Sequence, residues 1–154
     1  MALPLVGIVI GNASDEAVVR HAVSTLEDLK IDYEVRVMSA HRNPERVREY
    51  GRQAQERGIE VLIAATCGAE ALGGVLASWT TLPVIGIPLP SSALQGMDAL
   101  LATVQMPPGI PVACMAIGSW GAQNAALFAA QILGLKHEEI RGAYEEYRRQ
   151  LQER

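Results

Sequence analysis

The sequence predicts an α/β fold, a three-layer αβα sandwich around a five-stranded parallel sheet, formed by residues 1–154 as a single domain. Three observations support this prediction. Apolar runs of strand length alternate with segments of helical periodicity along the whole chain. The run at residues 61–65 is apolar at every position, as expected of a strand with both faces covered. The length of 154 residues, 49% of them hydrophobic, suits one core.

The predicted strands are apolar runs bounded by polar or glycine-containing turns. In chain order they lie at residues 5–10, 33–38, 61–65, 84–87 and 112–117. The segments between them carry apolar side chains at helical spacing, which in the first segment are Val19, Ala22, Val23, Leu26 and Leu29. The predicted helices lie at residues 16–30, 44–57, 69–78, 95–104, 120–133 and 137–152.

Local signals set several of these boundaries. Asn43 is a good N-cap and Pro44 suits a first helical turn, so a helix begins there, and Gly58 ends it. Pro107-Pro108-Gly109 ends the fourth helix, and the charged segment from residue 137 is predicted as an extra C-terminal helix. Repeated βαβ units predict right-handed crossovers, and five strands favour a flavodoxin-like strand order.

Composition and charge exclude several classes of function. The formal net charge is −4 and no basic stripe or zinc-finger spacing occurs, so no nucleic-acid partner is expected. No apolar run approaches the roughly 18–20 residues of a membrane span, and the first residues lack signal-peptide features, so we expect a cytoplasmic protein. Cys67 and Cys114 are too few and too isolated to predict a disulfide framework or a metal site.

Only 19% of residues are charged, which favours a homo-oligomer with much buried surface.

Polar residues that follow the predicted strands are the candidate functional residues, because ligands of such sheets bind outside the carboxyl ends of the strands. Gly11-Asn12-Ala13-Ser14-Asp15 follows the first strand and precedes a helix, whose free N–H groups and dipole favour an anion. Asn12 and Ser14 add side-chain donors. A plain turn with an Asn or Asp N-cap is equally compatible with this segment. It is neither a Walker loop nor a dinucleotide-binding fingerprint.

Ser39-Ala40-His41-Arg42, after the second strand, carries the strongest local signal. His41 can move protons near neutral pH, and Arg42 can clamp a phosphate or a carboxylate in a fork. The alternative is a loop histidine beside a surface cation, but the position at a strand end before a helix favours function. His21 and His137 are expected to be structural, so a histidine-based metal site is not predicted.

The segment after the third strand reads Thr66-Cys67-Gly68-Ala69-Glu70. Cys67 is a candidate reactive thiol, and Glu70 is a candidate base or a partner of the helix dipole. A small buried cysteine and a glutamate in a capping turn are the interpretation that the sequence favours.

Several of these motifs in combination resemble a known family. They are Gly11-Asn12-Ala13-Ser14-Asp15, Ser39-Ala40-His41-Arg42-Asn43-Pro44, and residues 83–88, 104–112 and 124–133. They resemble, in matching order over almost the whole chain, the N5-carboxyaminoimidazole ribonucleotide mutases of purine biosynthesis. The Ser-Ala-His-Arg and Gln-Met-Pro motifs are specific together. The resemblance implies a flavodoxin-like core and an octamer whose C-terminal helix reaches a neighbour, with no metal and no organic cofactor.

The resemblance also implies a reaction and a set of site residues. The family moves a carboxylate from an exocyclic nitrogen to C4 of an aminoimidazole ribonucleotide, through decarboxylation, CO2 held in a closed pocket, and recarboxylation. His41 would carry the proton. Arg42 and the Gly11 loop would bind the phosphate, and Asp15 the ribose hydroxyls. The substrate-binding set implied in this way is Gly11, Asn12, Ser14, Asp15, Ser39, Ala40, Arg42, Cys67, Gly68 and Leu72.

The chain departs from the family pattern in the third loop. The family typically reads Gly-Ala-Gly-Gly-Ala-Ala-His-Leu-Pro-Gly there, whereas this chain has Ala71 in place of the histidine and Gly73 in place of the proline. Thr66 and Cys67 add side chains, and Asn12 stands where serine is usual. Two alternatives stay open: a diverged member that carboxylates or decarboxylates another heterocyclic ribonucleotide, and an inactive nucleotide-binding scaffold.

Overall fold

A computed structural model describes residues 3–69 and 71–154. Within them the strands form one parallel sheet in the order β2-β1-β3-β4-β5, which confirms the predicted flavodoxin-like topology. The strands are β1 Val6–Ile10, β2 Tyr33–Val37, β3 Val61–Thr66, β4 Val84–Pro88 and β5 Ala113–Cys114. The helices are α1 Glu16–Asp28, α2 Pro44–Gln53, α3 Ala71–Trp79, α4 Met97–Val104, α5 Ser119–Leu133 and α6 Glu138–Gln152. Glu70 lies outside the described residues.

The prediction of a six-residue fifth strand at 112–117 is wrong in its length, because only Ala113 and Cys114 pair with β4. After this pair the backbone leaves the sheet: the N–H of Met115 still donates to the carbonyl of Gly86, and the N–H of Gly118 donates to that of Pro88. Gly118 has a φ of 77° and precedes the first residue of α5. The apolar run is therefore partly a connection that turns the chain into a helix.

The sheet separates two apolar cores, because successive residues of a strand point to opposite faces. Ile8 of β1 belongs to the core beneath α1 and α5, and Val9 belongs to the core beneath α2 and α3. α4 packs against β4 and β5 on the α2 and α3 side, and α6 packs against α5. The three predicted layers are present. None of the helices in the described part of the chain has the length and apolar character needed to cross a lipid bilayer.

The register of the central strands brings three loops to one edge of the sheet. β1 pairs in parallel with β2 on one side and with β3 on the other, so that Ile10 lies beside Val37 and beside Ala65. The three strands end at nearly the same level. The segments that follow them, residues 11–15, 38–43 and 67–69, therefore leave the sheet next to one another.

Glu34 on β2 ties this edge strand to α2 and to the turn that follows it. Its carboxylate accepts hydrogen bonds from Tyr50 Oη at 2.9 Å and from Arg57 Nη2, which lies 2.6 Å from both oxygens. Burial alone would raise the pKa of Glu34, but the hydrogen bonds from Arg57, Tyr50 and Arg36 hold it below its usual value. The strand and the helix on either side of residues 38–43 are thereby fixed relative to each other.

Gly121 and Gly142 offer a matched pair of helix substitutions. A Cβ atom built on Gly121 in α5 would overlap the carbonyl oxygen of Ala116, whereas one built on Gly142 in α6 meets nothing within 4 Å. We expect Gly121→Ala to lower the free energy of unfolding by roughly 1–3 kcal/mol, because backbone must move. Gly142→Ala should raise it by up to about 1 kcal/mol, since alanine is the better helix former. Urea denaturation measures both changes, and equal stabilities would contradict this packing.

Candidate active site

A cavity of about 350 Å³ opens at the carboxyl edge of the sheet, above β1, β2 and β3. It is lined by Gly11, Asn12, Asp15, Ser39, Ala40, His41, Arg42, Thr66, Cys67, Ala69, Ala71 and Leu72. All of the site residues expected from the sequence line it except Ser14 and Gly68. A larger groove of about 600 Å³ runs between α1 and the outer edge of β2, but it contains none of the expected site residues.

The turn after β2 is shaped by the Ser39 side chain. Its Oγ accepts the backbone N–H groups of His41 at 3.3 Å and of Arg42 at 3.2 Å. The backbone N–H of Ser39 in turn donates to Oδ1 of Asn43 at 3.2 Å. Asn43 occupies the N-cap position of α2 as predicted, but its side chain makes no capping hydrogen bond and closes this turn instead. Ser39 and Asn43 thus present His41 and Arg42 at the pocket mouth.

Arg42 links the second loop to the first. Its Nη2 donates to the carbonyl oxygen of Gly11 at 3.1 Å. Arg42 is exposed, and it forms no ion pair with any residue of 3–69 and 71–154. His41 is exposed at the same mouth. The arrangement places an imidazole and a guanidinium side by side.

Asp15 is the most unusual polar group of the site. It is only 4% exposed, and its Oδ2 has no hydrogen-bond partner among the described residues. Burial raises the pKa of the Asp15 carboxyl above its usual value, and a backbone hydrogen bond with Asn12 partly offsets the shift. A buried oxygen without a partner is costly, and a hydroxyl group that donated to it would offset this cost.

The polar side chains of the first loop, residues 11–15, do not all lie where the sequence suggests. Asn12 Oδ1 accepts the backbone N–H of Ser14 at 3.3 Å and so caps the short 3-10 turn Ala13–Asp15. The Ser14 side chain is exposed and does not line the cavity. Asp15 stands before α1 without a side-chain capping bond. The segment is therefore a capped turn that also contributes Asn12 and Asp15 to the lining of the cavity, and anion binding at its N–H groups stays a prediction.

The third loop forms a wall without charged groups among its described residues. Thr66, Cys67, Ala71 and Leu72 line the cavity, and Gly68 turns the chain with a φ of 70°. The sequence analysis missed Thr66, Ala69 and Ala71 as lining residues. Their position directly after a central strand was the available signal.

The other two histidines lie elsewhere. His21 is exposed on α1, and His137 contacts Glu60 through its Nε2 at 3.1 Å, away from the pocket. Among the residues described, no cluster of histidine, cysteine, aspartate or glutamate is arranged to hold a metal ion.

Comparisons with known proteins agree with this geometry. A family model described as AIR carboxylase matches residues 5–154. The chain is 54% identical over 148 residues to the N5-carboxyaminoimidazole ribonucleotide mutase of Pyrococcus abyssi, covering 96% of this chain and 84% of that protein. It is 51% identical over 145 residues to the protein of the same name from Bacillus subtilis, covering 94% and 90%. The crystal structure of Treponema denticola PurE matches with a TM-score of 0.88 at 28% identity, covering 97% of this chain and 92% of that one.

The buried carboxyl of Asp15 makes a prediction about stability. A carboxyl whose pKa is raised by folding destabilises the protein above that pKa, and the penalty disappears as the pH falls below its unfolded value. We expect Asp15→Asn to raise the melting temperature near pH 7.5 by about 2–4 °C, the shift that ~1 kcal/mol produces in a domain of this size. The gain should vanish near pH 3.5. Scanning calorimetry at both pH values tests this.

Asp32→Asn, which changes an exposed aspartate, is the control and should leave the melting temperature unchanged at both pH values. A lower melting temperature of Asp15→Asn at pH 7.5 would contradict the assignment of Asp15 as a strained, unpartnered group.

Proposed function

The chain belongs to the AIR carboxylase family, and we propose that it is an N5-carboxyaminoimidazole ribonucleotide mutase of purine biosynthesis with His41 as its proton carrier. The observation that supports this assignment best is the meeting of His41, Arg42 and Asp15 at one cavity on the carboxyl edge of the sheet. An imidazole can transfer a proton, a guanidinium can bind a phosphate and a carboxyl can accept from ribose hydroxyls, so these groups suit a reaction on a phosphorylated ribonucleotide.

The proposed reaction needs one proton carrier acting twice. The bond between the exocyclic nitrogen and its carboxylate breaks, CO2 leaves, and the protonated His41 imidazole gives a proton to the nitrogen. C4 of the imidazole ring then attacks CO2, and the now neutral His41 accepts the proton that C4 releases. Atoms and charge balance over the cycle, so the enzyme returns to its first state without a metal or an organic cofactor.

The remaining groups bind and orient the ribonucleotide. Arg42, held by the Gly11 carbonyl, and the N–H groups of the first loop bind the phosphate. The unpartnered oxygen of Asp15 accepts hydrogen bonds from the ribose hydroxyls. The third loop, including Cys67 and Leu72, covers the base and keeps water from the CO2.

The third loop also favours one alternative function. A wall formed by Thr66, Cys67 and Ala71 differs from the histidine-containing loop of the resembling family, and it would suit a related enzyme acting on another heterocyclic ribonucleotide. An inactive scaffold is less consistent with this pocket, because such a protein has no need for His41 and Arg42 at one mouth.

Substitution of His41 tests the proposed chemistry. We expect the wild type to convert the N-carboxylated ribonucleotide to 4-carboxy-5-aminoimidazole ribonucleotide. NMR measures both the loss of the substrate and the formation of the product. His41→Asn should lower turnover by about 10²–10⁴-fold, because the proton carrier is lost while the pocket keeps its shape. His21→Asn, on the exposed side of α1, is the matched control and should keep full turnover.

Two outcomes would contradict the proposal in different ways. A folded wild type that forms no product would exclude the mutase and favour the enzyme for another ribonucleotide. A His41→Asn variant with full turnover would exclude the acid–base role of this imidazole.

We also propose that the protein works as a cytoplasmic homo-octamer. Met97, Leu101 and Val104 form one exposed apolar row along α4, with 51%, 57% and 57% of their surface accessible, and Leu94 in the turn before the helix is 65% exposed. A row of this kind supports burial against a neighbouring copy, which is also the simplest explanation of the low content of charged residues.

A charge placed in this row should prevent assembly. We expect Leu101→Glu to convert the octamer to smaller species in light scattering, because a carboxylate would be buried at the interface. Ala102→Glu, on the same helix but away from the row, is the control and should leave the octamer intact. If the Leu101→Glu variant still assembled to the mass of the octamer, the proposed role of this surface in assembly would be contradicted.

A further inference from the structure

Thr66 is a lining residue to which the proposed reaction gives no task. It is the last residue of β3, and its carbonyl accepts the N–H of Leu89 at 3.0 Å. Its backbone is also in register with Pro88 of β4. Thr66 is thus held by the sheet on the side away from the first loop, while its side chain reaches the cavity.

The Thr66 side chain packs directly on Gly11. A Cβ atom built on Gly11 would lie 2.7 Å from Thr66 Oγ1 and 3.2 Å from Thr66 Cβ, so the space beside Gly11 is already filled by the threonine. The Gly11 N–H is tied to the sheet by a long hydrogen bond of 3.3 Å to the carbonyl of Ala65. The packing of Thr66 is therefore a principal restraint on where Gly11 lies.

Gly11 in turn positions Arg42. Its carbonyl oxygen accepts Nη2 of Arg42 at 3.1 Å, and this is the bond that joins the first and second loops at the pocket mouth. A shift of the Gly11 backbone would move this acceptor and the guanidinium with it. The rigid sheet, Thr66, Gly11 and Arg42 thus form one continuous series of contacts.

From these contacts we infer that Thr66 is a positioning residue, whose side-chain volume fixes the Gly11 carbonyl and thereby aims Arg42 at the phosphate of the substrate. The identity of the ligand in this inference rests on the proposed function, whereas the contacts among Thr66, Gly11 and Arg42 do not depend on it. Volume is the property that counts, because among residues 3–69 and 71–154 the hydroxyl makes just one long hydrogen bond, of 3.4 Å, to the adjacent carbonyl of Cys67.

Three substitutions separate volume from hydrogen bonding. Thr66→Val keeps the volume and removes the hydroxyl, whereas Thr66→Ala and Thr66→Gly remove the packing. We expect Thr66→Ala to raise KM about 3- to 10-fold with little change in kcat, because phosphate binding is weakened while His41 is untouched. Thr66→Val should stay within about 2-fold of the wild type. Thr66→Gly should be at least as impaired as Thr66→Ala.

A double-mutant cycle with Arg42 tests whether the effect of Thr66 on ligand binding depends on Arg42. The probe is ribose 5-phosphate, titrated by NMR, which needs no turnover. Thr66→Ala should weaken its binding in the wild-type background and have no further effect in the Arg42→Met background, since the two residues act in one series. Thermal melts confirm that each variant is folded.

The outcomes separate this inference from the proposed function. Independent effects of Thr66→Ala and Arg42→Met, or unchanged KM in Thr66→Gly, would overturn it. An impaired Thr66→Val variant would also overturn it, because the hydroxyl would then be the active group. If ribose 5-phosphate binding follows the predicted pattern while no mutase product forms, the positioning role stands and the mutase assignment fails.

Discussion

The parallel pairing of β1 with both of its neighbours is the interaction on which the site depends. Ile10 lies level with Val37 and with Ala65, so three strands deliver their following loops to one edge of the sheet. Each loop alone is a short turn with a few polar groups. A slip of one residue in either pairing would turn side chains to the other face and displace the first loop from the second or from the third. The two apolar cores oppose such a slip, because they fix which face of β1 each residue occupies.

Two carboxyls, the partly buried Glu34 and the buried Asp15, have opposite environments in the fold. Glu34 accepts hydrogen bonds from Tyr50 and Arg57, and its pKa is held low. Asp15 has an oxygen with no partner in the described residues, and burial raises its pKa. The first carboxyl stabilises the folded state at neutral pH, whereas the second weakens it. A group that costs stability and lies in a pocket is better explained by ligand binding than by folding.

Most of the architecture could be predicted from the sequence, because periodicity and turn residues are local signals. The length of the fifth strand could not be, since the apolar run at 112–117 does not reveal that Gly118 and the approach of Gly121 to Ala116 bend the chain early. For the site, the rule about strand ends placed His41, Arg42 and Asp15 correctly at the cavity. It could not foresee that Asn43 closes a turn rather than capping its helix, because a side chain with two possible acceptor roles is assigned only by geometry.

The first and second loops line one side of the pocket and the third loop lines the other, and the two sides carry different chemical groups. The first and second loops supply the charged groups and the imidazole, whereas the described residues of the third loop supply shape, a hydroxyl and a thiol. Under the proposed function, changes in the third loop would therefore alter which base fits without removing the imidazole or the guanidinium. Thr66 belongs to both sides, since its side chain lines the cavity and also packs behind Gly11. A change of residue there would alter the shape of the pocket and the position of Arg42 together, so the proposed recognition of the base and of the phosphate would be coupled through a single side chain.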